Sequence, residues 1–361
     1  QEKSSLVAPG THSIAISPDG STLFAASWEG VVALDIGSGQ EMLRFGEAST
    51  PYSSMALSPD GSLLAAGSTF DGSIVLWEAA TGRRLRTLRG HSDGIGALAF
   101  SLDGRVLASA SRDVTVKLWD VASGVLLATL IGHTREVTGL AFAPDGQMLA
   151  TTALMETTRL WQLTSGVVDT TPTPAPTPSS PVPTRLPPSA RAISPQNAAQ
   201  VEIVRRIEQG GSQVAWSPDG QTVAAGSDKL SFYDTSTWSL RHAVNADRWV
   251  KGMTFSPDAQ VLAAIIEIPG VVLYAPATAA EPYLLPRSQI NVSPVSSDYC
   301  AFTPDGRAVA VILGDTVQLF DVASGSETKT LVVPGARSIV FAADGQSLFA
   351  VSQRGVVQID V

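Results

Sequence analysis

Four histidines, one cysteine and a recurring Asp-Gly pair are the residues of this chain with the clearest capacity for chemistry. His12, His91 and His133 occupy one repeated place, each shortly before an apolar run. A position that returns with its surroundings points to a structural duty in every copy rather than to one active site. His242, in Arg241-His242-Ala243, has no second ligand at metal-binding spacing. Cys300 lies in the apolar run Tyr299-Cys300-Ala301-Phe302 and reads as a small core residue. As the single cysteine of this sequence it can form no disulfide within the chain and no cysteine-based zinc site. The Asp-Gly pairs could suggest calcium, but no loop alternates Asp and Asn at every second position, so they read as turn residues. His-Glu-x-x-His and phosphate-binding glycine loops are missing, and Gly94-Ile95-Gly96 lacks a third glycine and a following helix. Asn291-Val292-Ser293 matches the acceptor triplet for glycosylation. No catalytic, cofactor-binding or metal-binding residue is assigned, and no cofactor is expected.

The elements that carry these residues are set by the turns. Ser-Pro-Asp-Gly or a near copy occurs eight times, with aspartates at Asp19, Asp60, Asp103, Asp145, Asp219, Asp258, Asp305 and Asp344. The spacing is 39 to 47 residues, save for one gap of 74. A turn signal at that period marks a copied supersecondary unit. Asp-Gly supplies the positive φ of a tight hairpin, and the proline before it cannot continue a strand ladder. In the third copy the spacing predicts strands over Leu85–Leu88, Ile95–Ser101, Val106–Ser111 and Thr115–Asp120. No segment keeps a 3.6-residue period over three turns, so almost no helix is expected.

Gly90-His91, then the Asp-Gly turn, Leu107-Ala108-Ser109, Asp113 and Leu118-Trp119-Asp120 together resemble the WD-repeat family of β-propellers. The likeness is specific over Gly90–Asp120 and Gly132–Trp161 and good at Ile74-Val75-Leu76-Trp77. It weakens where the Trp-Asp place reads Leu34-Asp35, Tyr233-Asp234, Tyr274-Ala275, Phe320-Asp321 or Ile359-Asp360. The resemblance implies a buried hydrogen-bonded tetrad within a blade, carried over to His91, Ser109, Asp113 and Trp119. The fourth copy keeps His133, Thr151 and Trp161 but has Met155-Glu156 where Asp is expected, so its tetrad reads as incomplete.

Fold and organisation follow. The expectation is an all-β, eight-bladed propeller over residues 1–361, with seven blades as the alternative. The last copy ends on a third strand, Val356–Val361, while Ser5-Leu6-Val7 precedes the first copy and resembles an orphan fourth strand. Pairing the two closes the ring and removes an open sheet edge. The long gap holds a Pro/Thr-rich tract, placed at 168–198 as a linker between the third and fourth strands of the fourth blade.

Function is bounded by charge and surface. Net charge is -9 and the 24 basic residues never run longer than two, which argues against a nucleic-acid or anionic-membrane footprint. The longest apolar stretch, Val261–Ala277, is broken by Glu267, Pro269 and Gly270, so no membrane span is expected. The chain starts at Gln1 without Met and carries the Pro/Thr tract, which together favour an exported bacterial protein over a cytoplasmic one. The resemblance implies a non-catalytic scaffold, expected to be monomeric, binding a protein or peptide on a propeller rim. On the rim built from the d–a and b–c connections, the expected contact residues are Trp28, Glu29, Phe70, Arg112, Lys229, Arg248, Trp249 and Arg354, with Gln353 beside the last. The alternative is a channel-mouth hydrolase of the lactonase type, or a small-ligand binder. The residues entering the inner strands, mostly Ser, Gly, Ala, Val and Ile, favour the scaffold.

Overall fold

The computed structural model describes residues 2–6, 11–46, 51–154, 156–163, 192–210, 213–226, 229–245, 250–266, 270–275, 283–284, 300–352 and 355–361. Among them, thirty-two strands form eight four-stranded antiparallel sheets, the blades, with strands a to d running from the inside of the ring outward. Inner strands of successive blades touch in chain order, and strand a of blade one (Thr11–Ile16) meets strand a of blade eight (Ser338–Phe341). Eight blades, not seven, close the ring.

Each blade carries a hydrogen-bonded a–b turn. In the first, the Ser17 amide donates to the Thr22 carbonyl, the Gly20 amide to the Ser17 carbonyl, and the Thr22 amide to Ser17 Oγ. The Asp19 carboxylate accepts the hydroxyls of Ser17 and Ser21 and the Ser21 amide. The Ser17 hydroxyl is the foremost of the bonds that hold the Asp19 carboxyl below the usual carboxylate range. The aspartates are therefore internal staples, as the sequence suggests, with their acceptor capacity spent on their own turns.

The glycine of this motif also serves the ring. Gly61 has φ +72°, and a Cβ there would stand 2.7 Å from Pro18 of the preceding blade. Blade six has Ala259 at this place, at φ 62°, so an L-side chain occupies the left-handed region. Blades also stack through close backbone approach: a Cβ on Gly67, on strand b of blade two, would lie 2.5 Å from Ile95 on strand a of blade three. Strands b are accordingly rich in small, fully buried residues such as Ala65, Ala66, Ala108 and Ala110. Apolar clusters run across blade boundaries, one joining Leu23, Ala25 and Leu34 of blade one to Phe349, Val351 and Val356 of blade eight.

Closure uses the strand the sequence indicates, with shifted bounds. Glu2–Leu6 pairs antiparallel with Gly355–Asp360 and is strand d of blade eight. In blade four, strand c (Thr157–Leu163) pairs with strand d (Val201–Gly210) across the chain segment between them. Residues 164–191 lie outside the description, but the last part of the expected linker is packed. Ile193 and Ala198 are fully buried in the cluster between blades three and four, and the Ile193 amide donates to the Gly146 carbonyl at 2.9 Å. The described end of the expected linker, residues 192–198, is thus packed against the ring. Leu102 stands where most copies have proline, and the place beside Gly146 is taken by Ala192.

Candidate functional site

The third blade builds the tetrad bond by bond. Trp119 Nε1–H donates to Ser109 Oγ at 2.8 Å, and the Ser109 hydroxyl donates to His91 Nε2 at 2.8 Å. His91 Nδ1–H donates to the Asp113 carboxylate at 2.8 Å. Asp113 also accepts the Ser92 amide at 3.0 Å and the Thr115 hydroxyl at 2.7 Å. Burial holds the His91 imidazole below its ordinary value, against the pull of Asp113. Burial pushes the Asp113 carboxyl up, but the bonds from Thr115, Ser92 and His91 prevail and keep it below the carboxylate range. A neutral imidazole beside an ionised carboxylate matches this donor sequence. Asp113 is followed by Val114 at φ 65°, a β-branched residue in the left-handed region. The strain sits in the turn that the carboxylate ties down.

Blade four completes the same chain with a different acid. Trp161 Nε1–H reaches Thr151 Oγ1 at 2.8 Å, His133 Nε2 meets Thr151 Oγ1 at 2.8 Å, and His133 Nδ1 meets Glu156 at 3.0 Å. Glu156 stands one position later in its turn than Asp113 and reaches back with one more methylene. This corrects the expectation of an incomplete tetrad. The buried Arg159 adds an ion pair to Glu156 at 2.9 Å. Burial raises the Glu156 carboxyl, yet bonds from Thr134, His133 and Arg159 bring it down to about 2. These buried networks tie together the inner strands of their blades.

Blade six shows the cost of losing the network. Tyr274 fills the tryptophan place, stacked on Phe232 at 4.5 Å and on His242 at 5.4 Å. Register puts Ala264 where blade three has Ser109, and the buried Tyr274 hydroxyl has no hydrogen-bond partner among the described residues.

The outer candidates divide. Trp28 and Glu29 form the b–c turn of blade one, and Phe70 lies in that of blade two. Trp28 and Phe70 are 47% and 66% exposed, yet their ring centroids are 6.4 Å apart. Two large aromatics from neighbouring blades thus form one ledge on the rim. Exposed Glu29 stands beside it, and Asp71 pairs with Arg89 at 3.7 Å nearby. Arg112 is exposed in the b–c turn of blade three, its amide donating to the Gly94 carbonyl at 2.9 Å. Lys229 is half-buried as the first residue of strand c in blade five rather than a turn residue. Arg248, Trp249, Gln353 and Arg354 lie outside the described residues. Sequence reasoning missed Leu154, the exposed residue of blade four whose amide donates to the Glu136 carbonyl just as Arg112 does to Gly94. Aligning the turns residue by residue would have found it. Among the described residues, no three His, Cys, Asp or Glu side chains gather where they could hold a metal ion. No helix among them is long and apolar enough to cross a membrane.

The family model of the WD domain, G-beta repeat, matches residues 41–78, 82–120, 124–162 and 211–230, which are the stretches holding the tetrads and their neighbours. The chain carries WD repeats within an eight-bladed β-propeller. Curated relatives of this propeller include the Periodic tryptophan protein 2 homolog of Schizosaccharomyces pombe, 39% identical over 62 residues, 17% of this chain and 7% of that one. The Centriole proteome protein 16 of Chlamydomonas reinhardtii is 60% identical over 40 residues, 11% of this chain and 2% of that one. This WD-repeat chain therefore spans less than a tenth of the length of these relatives. They are eukaryotic, so the expected bacterial source has no support among them. The crystal structure of the computationally designed Ika8 protein superposes on the whole propeller with TM-score 0.75, covering 100% of both chains at 18% identity, a likeness of fold alone.

Proposed function

We propose that this propeller is a non-catalytic scaffold that binds a protein or peptide on the rim carrying the b–c turns. The supporting observation is the Trp28–Phe70 ledge, two aromatics 47% and 66% exposed at 6.4 Å centroid separation. Neighbouring large aromatics kept exposed are costly unless covered by a partner, and such residues dominate the energetics of protein interfaces. Arg112, Leu154, Glu29 and Lys229 extend the surface, and Arg248, Trp249 and Arg354 remain candidates on the same rim. The extracytoplasmic location rests on the Pro/Thr composition of the tract.

The test is affinity capture with the full chain and with Trp28→Ala plus Phe70→Ala, both checked for native circular dichroism. Loss of the two rings should weaken binding at least ~10-fold, given ~1–2 kcal/mol for each aromatic anchor. Capture of the same partners at undiminished strength removes this ledge from consideration. Stoichiometric calcium or zinc in the purified protein would favour the hydrolase alternative instead.

A further inference from the structure

Two blades of the ring are assembled from distant pieces of chain, and they are assembled alike. Blade eight takes strands a, b and c from Ser338–Asp360 and strand d from Glu2–Leu6. Blade four takes strands a, b and c from Val137–Leu163 and strand d from Val201–Gly210, beyond the Pro/Thr tract. Residues 2–163 and 192–361 therefore have the same plan. Each half opens with a single d strand, continues through three whole blades, and ends on an a-b-c sheet lacking its fourth strand. The opening strand of each half completes the last sheet of the other.

Both seams are built as interfaces. At blade four, seven residue pairs register between Thr157–Leu163 and Val201–Gly210. Ile193 and Ala198, from the second half, are fully buried against Val106, Ala108 and Trp161 of the first. A further apolar cluster joins Ala143, Met148 and Leu160 of the first half to Ile207, Val223 and Ala225 of the second, and Trp216 Nε1–H donates to the Ala141 carbonyl at 3.2 Å. At blade eight, four residue pairs register between the closing strands, above the apolar cluster shared by blades one and eight. These boundaries bury side chains as the boundaries inside each half do. The covalent link through residues 164–191 adds proximity rather than these contacts.

We infer that the chain consists of two reciprocally completing four-blade halves, and that the open end of each is an association surface whose partner is the other half, supplied by the same chain or by a second copy of it. Exchange of identical elements between copies follows when both seams accept the same pieces.

The experiment uses the full chain with a specific protease site placed within residues 170–185. After complete cutting, the two fragments should run apart on a denaturing gel but elute as one species at the volume of the uncut chain. The melting temperature of the cut protein should become concentration-dependent. After denaturation and refolding of a mixture of tagged and untagged cut protein, capture of the tagged first half should retain untagged second half. A comparison chain carries the same site in the connection 47–50, away from both tetrads, where a cut leaves only one mixed blade; its fragments should recombine less completely. Fragments that separate or precipitate after the cut at 170–185 would overturn the inference. So would equal recombination from both cuts, because the shared fourth strand of blade four would then contribute nothing.

Discussion

Ser109→Ala tests whether the tetrad contributes to stability or merely accompanies it. Ser109 Oγ lies between two buried groups, accepting from Trp119 Nε1–H and donating to His91 Nε2, both at 2.8 Å. Ser109 is fully buried, Trp119 is 1% exposed and His91 7%, so water cannot replace the lost oxygen without rearrangement. The substitution leaves one donor and one acceptor unsatisfied. Each orphan costs about 1–3 kcal/mol, so the expected loss is ~2–4 kcal/mol, against well under ~1 kcal/mol for the volume change alone. Alanine stands at this register in blades one, five and eight (Ala25, Ala225 and Ala350), where Leu34, Tyr233 and Ile359 replace the tryptophan, and in blade two (Ala66), where Trp77 is kept without a histidine–serine network. The assay is chemical denaturation at constant pH, with the slope checked for constancy, alongside hydrogen exchange of the Trp119 indole N–H. The indole proton should lose protection together with stability. A change below ~0.5 kcal/mol would refute the reasoning and show that apolar packing around Trp119 holds the blade by itself.

Four further outcomes are expected. His91 and His133 are held neutral below the ordinary imidazole value chiefly by burial, and Asp113 and Glu156 are held below the carboxylate range. All four folded values lie below the unfolded ones, so the unfolded chain takes up protons first; stability should be level above about pH 7, fall below ~6.5 with the histidines, and fall again below ~4.5 with the carboxylates, and a rise between pH 7 and 5 in denaturation midpoints would contradict this. Tyr274→Phe removes the buried hydroxyl that lacks a partner among the described residues and should stabilise by about 1 kcal/mol in urea denaturation, where destabilisation would show that the hydroxyl is satisfied. Ala259→Gly relieves an L-residue at φ 62° and should gain a few tenths to ~1 kcal/mol after the entropy of the unfolded glycine is subtracted, read by calorimetry. Deleting residues 1–9 removes the four registered pairs with strand c of blade eight and should cost ~2–4 kcal/mol; a truncated chain that melts with the intact one would break the closure scheme.

Much of the ring is legible in one dimension because its signals are local. Asp19 and its seven counterparts sit in turns whose hydrogen bonds close within five residues, so the motif reports its own conformation. The missing fourth strand after Val356 and the spare strand before Thr11 are likewise visible as a deficit and a surplus. Glu156 was not legible as a tetrad member, because its reach depends on a side chain bending back one position along a turn. Ile193 was lost inside a Pro/Thr-rich composition that gives no sign of packing, although blade three lacks the proline its neighbours have. For the rim, turn location could be read but separation could not: Trp28 and Phe70 are 42 residues apart in sequence.

The amino-acid sequence by itself determined the unit, its number and its strand order, since left-handed glycines, strand-ending prolines and alternating apolar runs act over a few residues. Only the tertiary structure decided which side chains meet. The Trp28–Phe70 ledge and the two shared blades depend on how neighbouring sheets stack and twist, and the His133–Glu156–Arg159 network on how the strands of one blade pair. That stacking is set by packing between residues far apart in the chain, as where Gly67 lets Ile95 approach from 28 positions away, and no local pattern encodes it.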